Sequence, residues 1–89
     1  MKHAGAASLD RLEPLLTQVR ALPGLREKQR GVFYRGGRAW LHFHEDGTAP
    51  ARLWADLKQG DVWSRMPADD AEQHAYVMQE LRAAMIAAA

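Results

Sequence analysis

The sequence predicts an α+β domain in two layers, with both helices packed on one face of a four-stranded antiparallel meander in the order α-β-β-β-β-α. Three observations carry this reading. Apolar residues recur at helical spacing near each end of the chain, and apolar and polar residues alternate in short runs between them. Two tight-turn signals, Gly36-Gly37 and Gln59-Gly60, join those runs into hairpins.

Leu9, Leu12, Leu15, Leu16, Val19 and Leu22 form the stripe of the first helix. Asp10-x-x-Glu13 has the form of a capping box, and Pro14 is tolerated only within a first turn, so the helix is expected to begin near Asp10. Residues 1–8 then read as a disordered tail, and Pro23-Gly24 as the helix stop. A basic loop leads to strands over Val32–Arg35, Arg38–His44, Ala51–Leu57 and Val62–Arg65, with Glu45-Asp46-Gly47 and Pro50 marking the one longer connection. Pro67 precedes a last helix from about Asp70 to Met85, capped by Asp69-x-x-Glu72 and striped by Ala71, Ala75, Met78, Leu81, Ala84 and Met85.

The hairpin turns set an expected register. With Gly36-Gly37 as the loop, Arg35 faces Arg38, Phe33 faces Trp40 and Val32 faces Leu41. With Gln59-Gly60 as the loop, Lys58 faces Asp61 and Leu57 faces Val62. Alternation then assigns Val32, Tyr34, Leu41, Phe43, Leu53, Ala55, Leu57 and Val62 to the core. It assigns Phe33, Arg35, Arg38, Trp40, His42, His44, Arg52, Trp54, Asp56, Trp63 and Arg65 to the other face, which is the predicted binding face.

Composition narrows the function classes. The 89 residues fit one domain, and 47% hydrophobic with 26% charged residues is a globular balance. With no cysteine, disulfides and thiolate metal sites are excluded. No apolar run is long enough to span a bilayer and no signal-peptide pattern opens the chain, which points to a cytoplasmic protein. The net charge is +1, but its distribution is uneven. Residues 1–44 hold eight Lys/Arg against three Asp/Glu, and residues 45–89 hold four against eight. The basic stretch from Arg20 to Arg38 suits either an anion-attracting patch or a solvated edge matched by the acidic start of the last helix.

No residue pattern specifies a reaction. Ser8 and Ser64 stand in no nucleophile elbow, and Gly36-Gly37 lacks the spacing of a phosphate loop. His44 with Asp46, or His42 with Asp56, is the nearest thing to an acid–base couple. His42 and His44, two apart on a strand, point to one side and with Asp46 are the candidate metal ligands, but HxH alone does not assign a metal. No cofactor is implied. Aromatic rings interleaved with arginines suit stacking on bases and contact with phosphate, so a nucleic acid or other anionic partner fits the predicted face. The same residue types favour a homodimer interface. The reading is of a non-enzymatic binding module, with a homodimeric interaction protein and a histidine-based metal or small-molecule site as alternatives.

The string Ala21-Leu22-Pro23-Gly24-Leu25-Arg26-Glu27 after an opening helix, followed by Val32 to Trp40, resembles the start of the bacterial MmcQ/YjbR-like proteins. Those typically run "LPGVxE", a hydrophobic strand, a glycine turn and a basic residue entering the next strand. The resemblance covers residues 21–58 and implies an α+β fold with an antiparallel sheet and a double-wing DNA-binding role, with Arg35, Arg38 and Lys58 at the corresponding basic positions. The second wing is reduced here to Val62–Pro67 and one helix. His42-x-His44 and Asp56 also resemble the short bacterial luciferase domain-containing family.

Overall fold

The computed structural model describes residues 1–87 and shows an α+β fold. Its elements run β1 (Lys2–His3), α1 (Ala6–Arg20), β2 (Leu25–Gln29), β3 (Val32–Arg35), β4 (Arg38–Glu45), β5 (Leu53–Gln59), β6 (Val62–Pro67) and α2 (Ala71–Ala87). The sheet has six strands rather than the expected four, in the order β2-β3-β4-β5-β6, with β1 also on β4. Every pairing is antiparallel. β3 pairs with β4 over Arg38–Leu41, and β1 pairs with it over His44–Glu45. β5 meanwhile pairs with β4 from Leu41 to Glu45, so β1 takes up the β4 edge beyond the end of β3.

Both extra strands lie where the sequence reading placed irregular chain. Residues 1–8 are not a tail: they supply β1 and the first residues of α1. Glu45 ties this end down, accepting hydrogen bonds from the Ser8 hydroxyl and the Gly5 N–H and pairing with Lys2. β2 is polar, yet its inward-facing Glu27 is satisfied from two sides. Arg20 donates to it in a fork, at 2.6 and 3.0 Å, and the Gly31 N–H donates at 2.9 Å. Charged residues along an edge strand also discourage pairing with other chains.

The helix starts differ from expectation as well. α1 begins at Ala6, so Pro14 lies inside it, on the exposed side. Asp10 and Glu13 do not cap the helix; both hold Arg30, at 2.9 Å each. α2 is capped one residue later than predicted, by Asp70 accepting from the Gln73 N–H at 2.8 Å. The Gln73 side chain accepts in return from the Asp69 N–H, a shifted form of the capping box. Its buried stripe is His74, Val77, Met78, Leu81 and Ala84, with Ala71 and Ala75 exposed.

One core joins Leu12, Leu15, Leu16 and Val19 of α1 with Val77, Met78 and Leu81 of α2. The sheet contributes Phe33, Leu41, Phe43, Leu53, Ala55, Leu57 and Met66. Two expected register details change. The second hairpin turns on Gly60-Asp61, so Gln59 faces Val62, Lys58 faces Trp63 and Asp56 faces Arg65. In the first hairpin, Gly36 and Gly37 have the positive φ of the expected turn (58° and 79°), and Arg35 faces Arg38 as predicted. The register then slips: Tyr34 faces Ala39 but Phe33 faces Leu41, leaving Trp40 as a β-bulge.

The bulge reverses the face of β3 relative to the rest of β4. Phe33 joins the core at 1% exposure, while Val32 and Tyr34 turn to the opposite face. Trp40 is also turned toward the helices, is 6% exposed, and lines a hollow with Arg35, Arg38 and Ala84 and Ala87 of α2. Val62, assigned to the core from sequence, lies at the rim and is 65% exposed.

Candidate functional site

The helices cover one face of the sheet and leave the other open. Alternation along β4, β5 and β6 brings His42, His44, Trp54, Asp56, Trp63 and Arg65 to this open face. Arg52 joins at the margin, its guanidinium 5.3 Å from the Trp54 ring centre. Four residues of the predicted face lie elsewhere: Phe33 and Trp40 in the core, Arg35 and Arg38 around Trp40 on the helix side. Arg35 donates there to the Met85 carbonyl of α2, at 3.5 Å.

Asp56 organises the centre of the face. It is 5% exposed, and Arg65 on the facing strand grips it with two parallel hydrogen bonds, Nε to Oδ1 at 2.8 Å and Nη2 to Oδ2 at 2.9 Å. His44 Nδ1 approaches Oδ2 to 2.5 Å from the other side. That nitrogen makes no aligned hydrogen bond, so the contact is a close electrostatic one. Burial alone would push the Asp56 carboxyl up, but Arg65 first and His44 second outweigh it and hold it below the usual carboxylate range.

Beside this pair stands a group of imidazoles. Register places His3 of β1 opposite His44, and His42 lies two residues along β4 on the same side. The His3 ring centre is 4.6 Å from that of His44 and 5.5 Å from that of His42. His42 in turn stacks obliquely on Trp63 at 5.3 Å. Burial first, then the neighbouring His3 and His44, push the His42 imidazole below its usual value. Nε2 of His42 and the indole N–H of Trp54 are enclosed without a protein hydrogen-bond partner. Asp46 is not part of this group. Its carboxylate is taken up by its own loop, accepting from the Thr48 N–H, the Thr48 hydroxyl and the Arg52 N–H.

Sequence reasoning missed His3, Tyr34 and Val32 on this face. His3 had no signal at all, since a two-residue strand leaves no periodicity to read. Tyr34 and Val32 were hidden by the bulge, which no residue type at Trp40 advertises. Lys28 lies 4.3 Å from the Tyr34 ring centre and Lys58 lies 5.8 Å from that of Trp63, so cations flank the aromatic rings across the face. Register adds Arg26 to the same side. Among the described residues, Asp56 is the one carboxylate in the middle of this surface, and Arg65 pairs with it.

No family model, curated protein or solved structure matches the chain. Among the described residues, no helix is long and apolar enough to cross a membrane.

Proposed function

We propose that the chain is a binding module whose open sheet face holds single-stranded nucleic acid. The observation that carries this reading is Trp63, 44% exposed on the uncovered face and flanked by Lys58 and Arg65. A large ring in that setting offers a stacking surface to any base, worth about 1–3 kcal/mol per base. Tyr34 with Lys28, and Trp54 with Arg52, repeat the ring-and-cation arrangement elsewhere on the face.

Fluorescence anisotropy with a labelled oligothymidylate across a salt series tests the proposal. Lys28, Arg52, Lys58 and Arg26 reaching phosphates give a log–log salt slope of about −2 to −3, at about −0.7 per contact. Trp63→Ala weakens binding by about 5–150-fold, the loss of one stacked base. Absence of binding at low salt, or an affinity unchanged from the parent in Trp63→Ala and in Lys58→Ala, overturns it.

One observation favours a second reading, a homodimer. β6 pairs with β5 alone and presents Val62, 65% exposed, beside Trp63. An apolar stretch on an unpaired edge invites a second copy. Sedimentation showing a monomer mass independent of concentration excludes it.

A further inference from the structure

The histidine group has a geometry that neither stacking nor phosphate contact requires. Three imidazoles bound through nitrogen to one tetrahedral ion at about 2.0–2.1 Å have ring centres about 3.2 Å from the ion and about 5 Å from one another. His3 and His44 are 4.6 Å apart by ring centre, His3 and His42 5.5 Å, and His42 and His44 6.4 Å. These separations bracket the value such an ion demands. The backbone sets them, through the cross-strand pair His3 and His44 and the two-residue step to His42.

A second feature stands behind the first. Asp56 lies 2.5 Å from Nδ1 of His44, beside the ring nitrogen that an outer carboxylate holds when the Nε2 of an imidazole ligates; the contact is not aligned as a hydrogen bond, and a small turn of the ring would align it. Arg65 fixes that carboxylate with two hydrogen bonds, so the support is held from both sides. On the same rings, Nε2 of His42 is enclosed with no hydrogen-bond partner.

We propose that His3, His42 and His44 bind one divalent transition-metal ion of the zinc class, with Asp56 as the outer-shell carboxylate and the fourth position open to solvent. Among the described residues, no group of three His, Cys, Asp or Glu side chains is already arranged to hold a metal ion. Closing the site takes rotation about the Cβ–Cγ bonds, which are broad torsions, and His3 is exposed and free to turn. An ion held this way fastens β1 to β4, so metal binding stabilises the docking of the N-terminal strand. This goes beyond the nucleic-acid reading and stands independently of it.

The test uses the full chain, stripped of metal with a chelator and titrated with zinc by calorimetry and with cobalt by absorption. Expected are one equivalent of zinc, the intense visible bands of four-coordinate cobalt, and a rise in melting temperature on zinc addition. His3→Ala retains the metal-free melting temperature, because its side chain is exposed, but loses the zinc-induced rise. Each single histidine variant loses more affinity than the about 10–100-fold expected for Asp56→Asn, which removes only an outer-shell partner. Absence of saturable zinc binding, zinc affinity unchanged in His3→Ala, or binding that persists when all three histidines are replaced overturns the proposal.

Discussion

Replacing Arg65 by methionine tests whether the buried carboxylate governs the centre of the open face. The substitution keeps most of the side-chain bulk and removes two charge-assisted hydrogen bonds to Asp56, at 2.8 and 2.9 Å. Stripping one partner from a fully buried ion pair costs about 3–5 kcal/mol, since a charge is left without compensation. Here the Arg65 side chain is 45% exposed although that of Asp56 is only 7% exposed, so solvent partly screens the loss. The expected cost is therefore about 2–3 kcal/mol, below the buried range and above that of a surface pair. Adding Asp56→Asn to the variant replaces the stranded charge by a neutral amide and recovers about 1 kcal/mol.

The pH dependence has a definite sign. In the parent protein the Asp56 carboxyl is held below its usual range despite burial, by Arg65 and then His44. A depressed folded value means that the pair contributes stability above the unfolded carboxyl's titration and loses it as pH falls through the folded one. Without Arg65, burial dominates and the folded carboxyl titrates above the unfolded one. The penalty in Arg65→Met is then complete at pH 7 and shrinks as pH falls toward about 4. Urea denaturation at a series of pH values measures the gap between parent and variant. A flat gap, or a double variant no more stable than Arg65→Met, refutes the reasoning.

The bulge and the turns yield further expectations. Trp40→Ala, in the core at 6% exposure, costs about 3–5 kcal/mol by denaturant unfolding. Trp63→Ala, on the open face, stays within about 1 kcal/mol of the parent, so a comparable loss at both positions contradicts the assigned faces. Gly31→Ala forces a positive φ of 80° on alanine and brings its Cβ within 2.7 Å of a Leu9 methyl. A loss of about 1–3 kcal/mol in the same assay is expected, and an unchanged midpoint would mean that the β2–β3 turn relaxes freely.

The two hairpins depart from their expected register in different ways, with unequal consequences for which residues share a face. Taking Gln59-Gly60 rather than Gly60-Asp61 as the second turn moved every β5–β6 partner by two residues. Side-chain direction repeats every two residues, so Trp63 and Arg65 stayed on the face assigned to them. In the first hairpin the turn itself was right, yet the single extra residue at Trp40 moved later partners by one and reversed Phe33 and Trp40. Alternation and turn chemistry therefore locate β4, β5 and β6 and six residues of the site, whereas a bulge leaves no trace in residue type. β2 was missed for a different reason. Its inward Glu27 breaks the apolar alternation, and the distant Arg20 together with the Gly31 N–H makes that placement tolerable. β1 owes its place to Glu45, which gathers Lys2, Gly5 and Ser8 from far along the chain.

The two proposals for the open face meet at one contact, the His42 ring against Trp63 at 5.3 Å. An ion on His3, His42 and His44 fixes the His42 ring and thereby the surface on which Trp63 rests, and it adds positive charge beside a face that carries Lys28, Arg52 and Lys58. Both effects favour the nucleic-acid complex in the metal-loaded protein. Linkage makes the relation reciprocal: the factor by which zinc raises oligonucleotide affinity equals the factor by which the oligonucleotide raises zinc affinity. His3→Ala separates the contributions, because it removes a ligand without touching Trp63. If zinc strengthens oligonucleotide binding in the parent and not in His3→Ala, the imidazoles and the stacking ring act as one site. If zinc acts equally on both proteins, its effect does not pass through the imidazoles and the two ends of the face are independent.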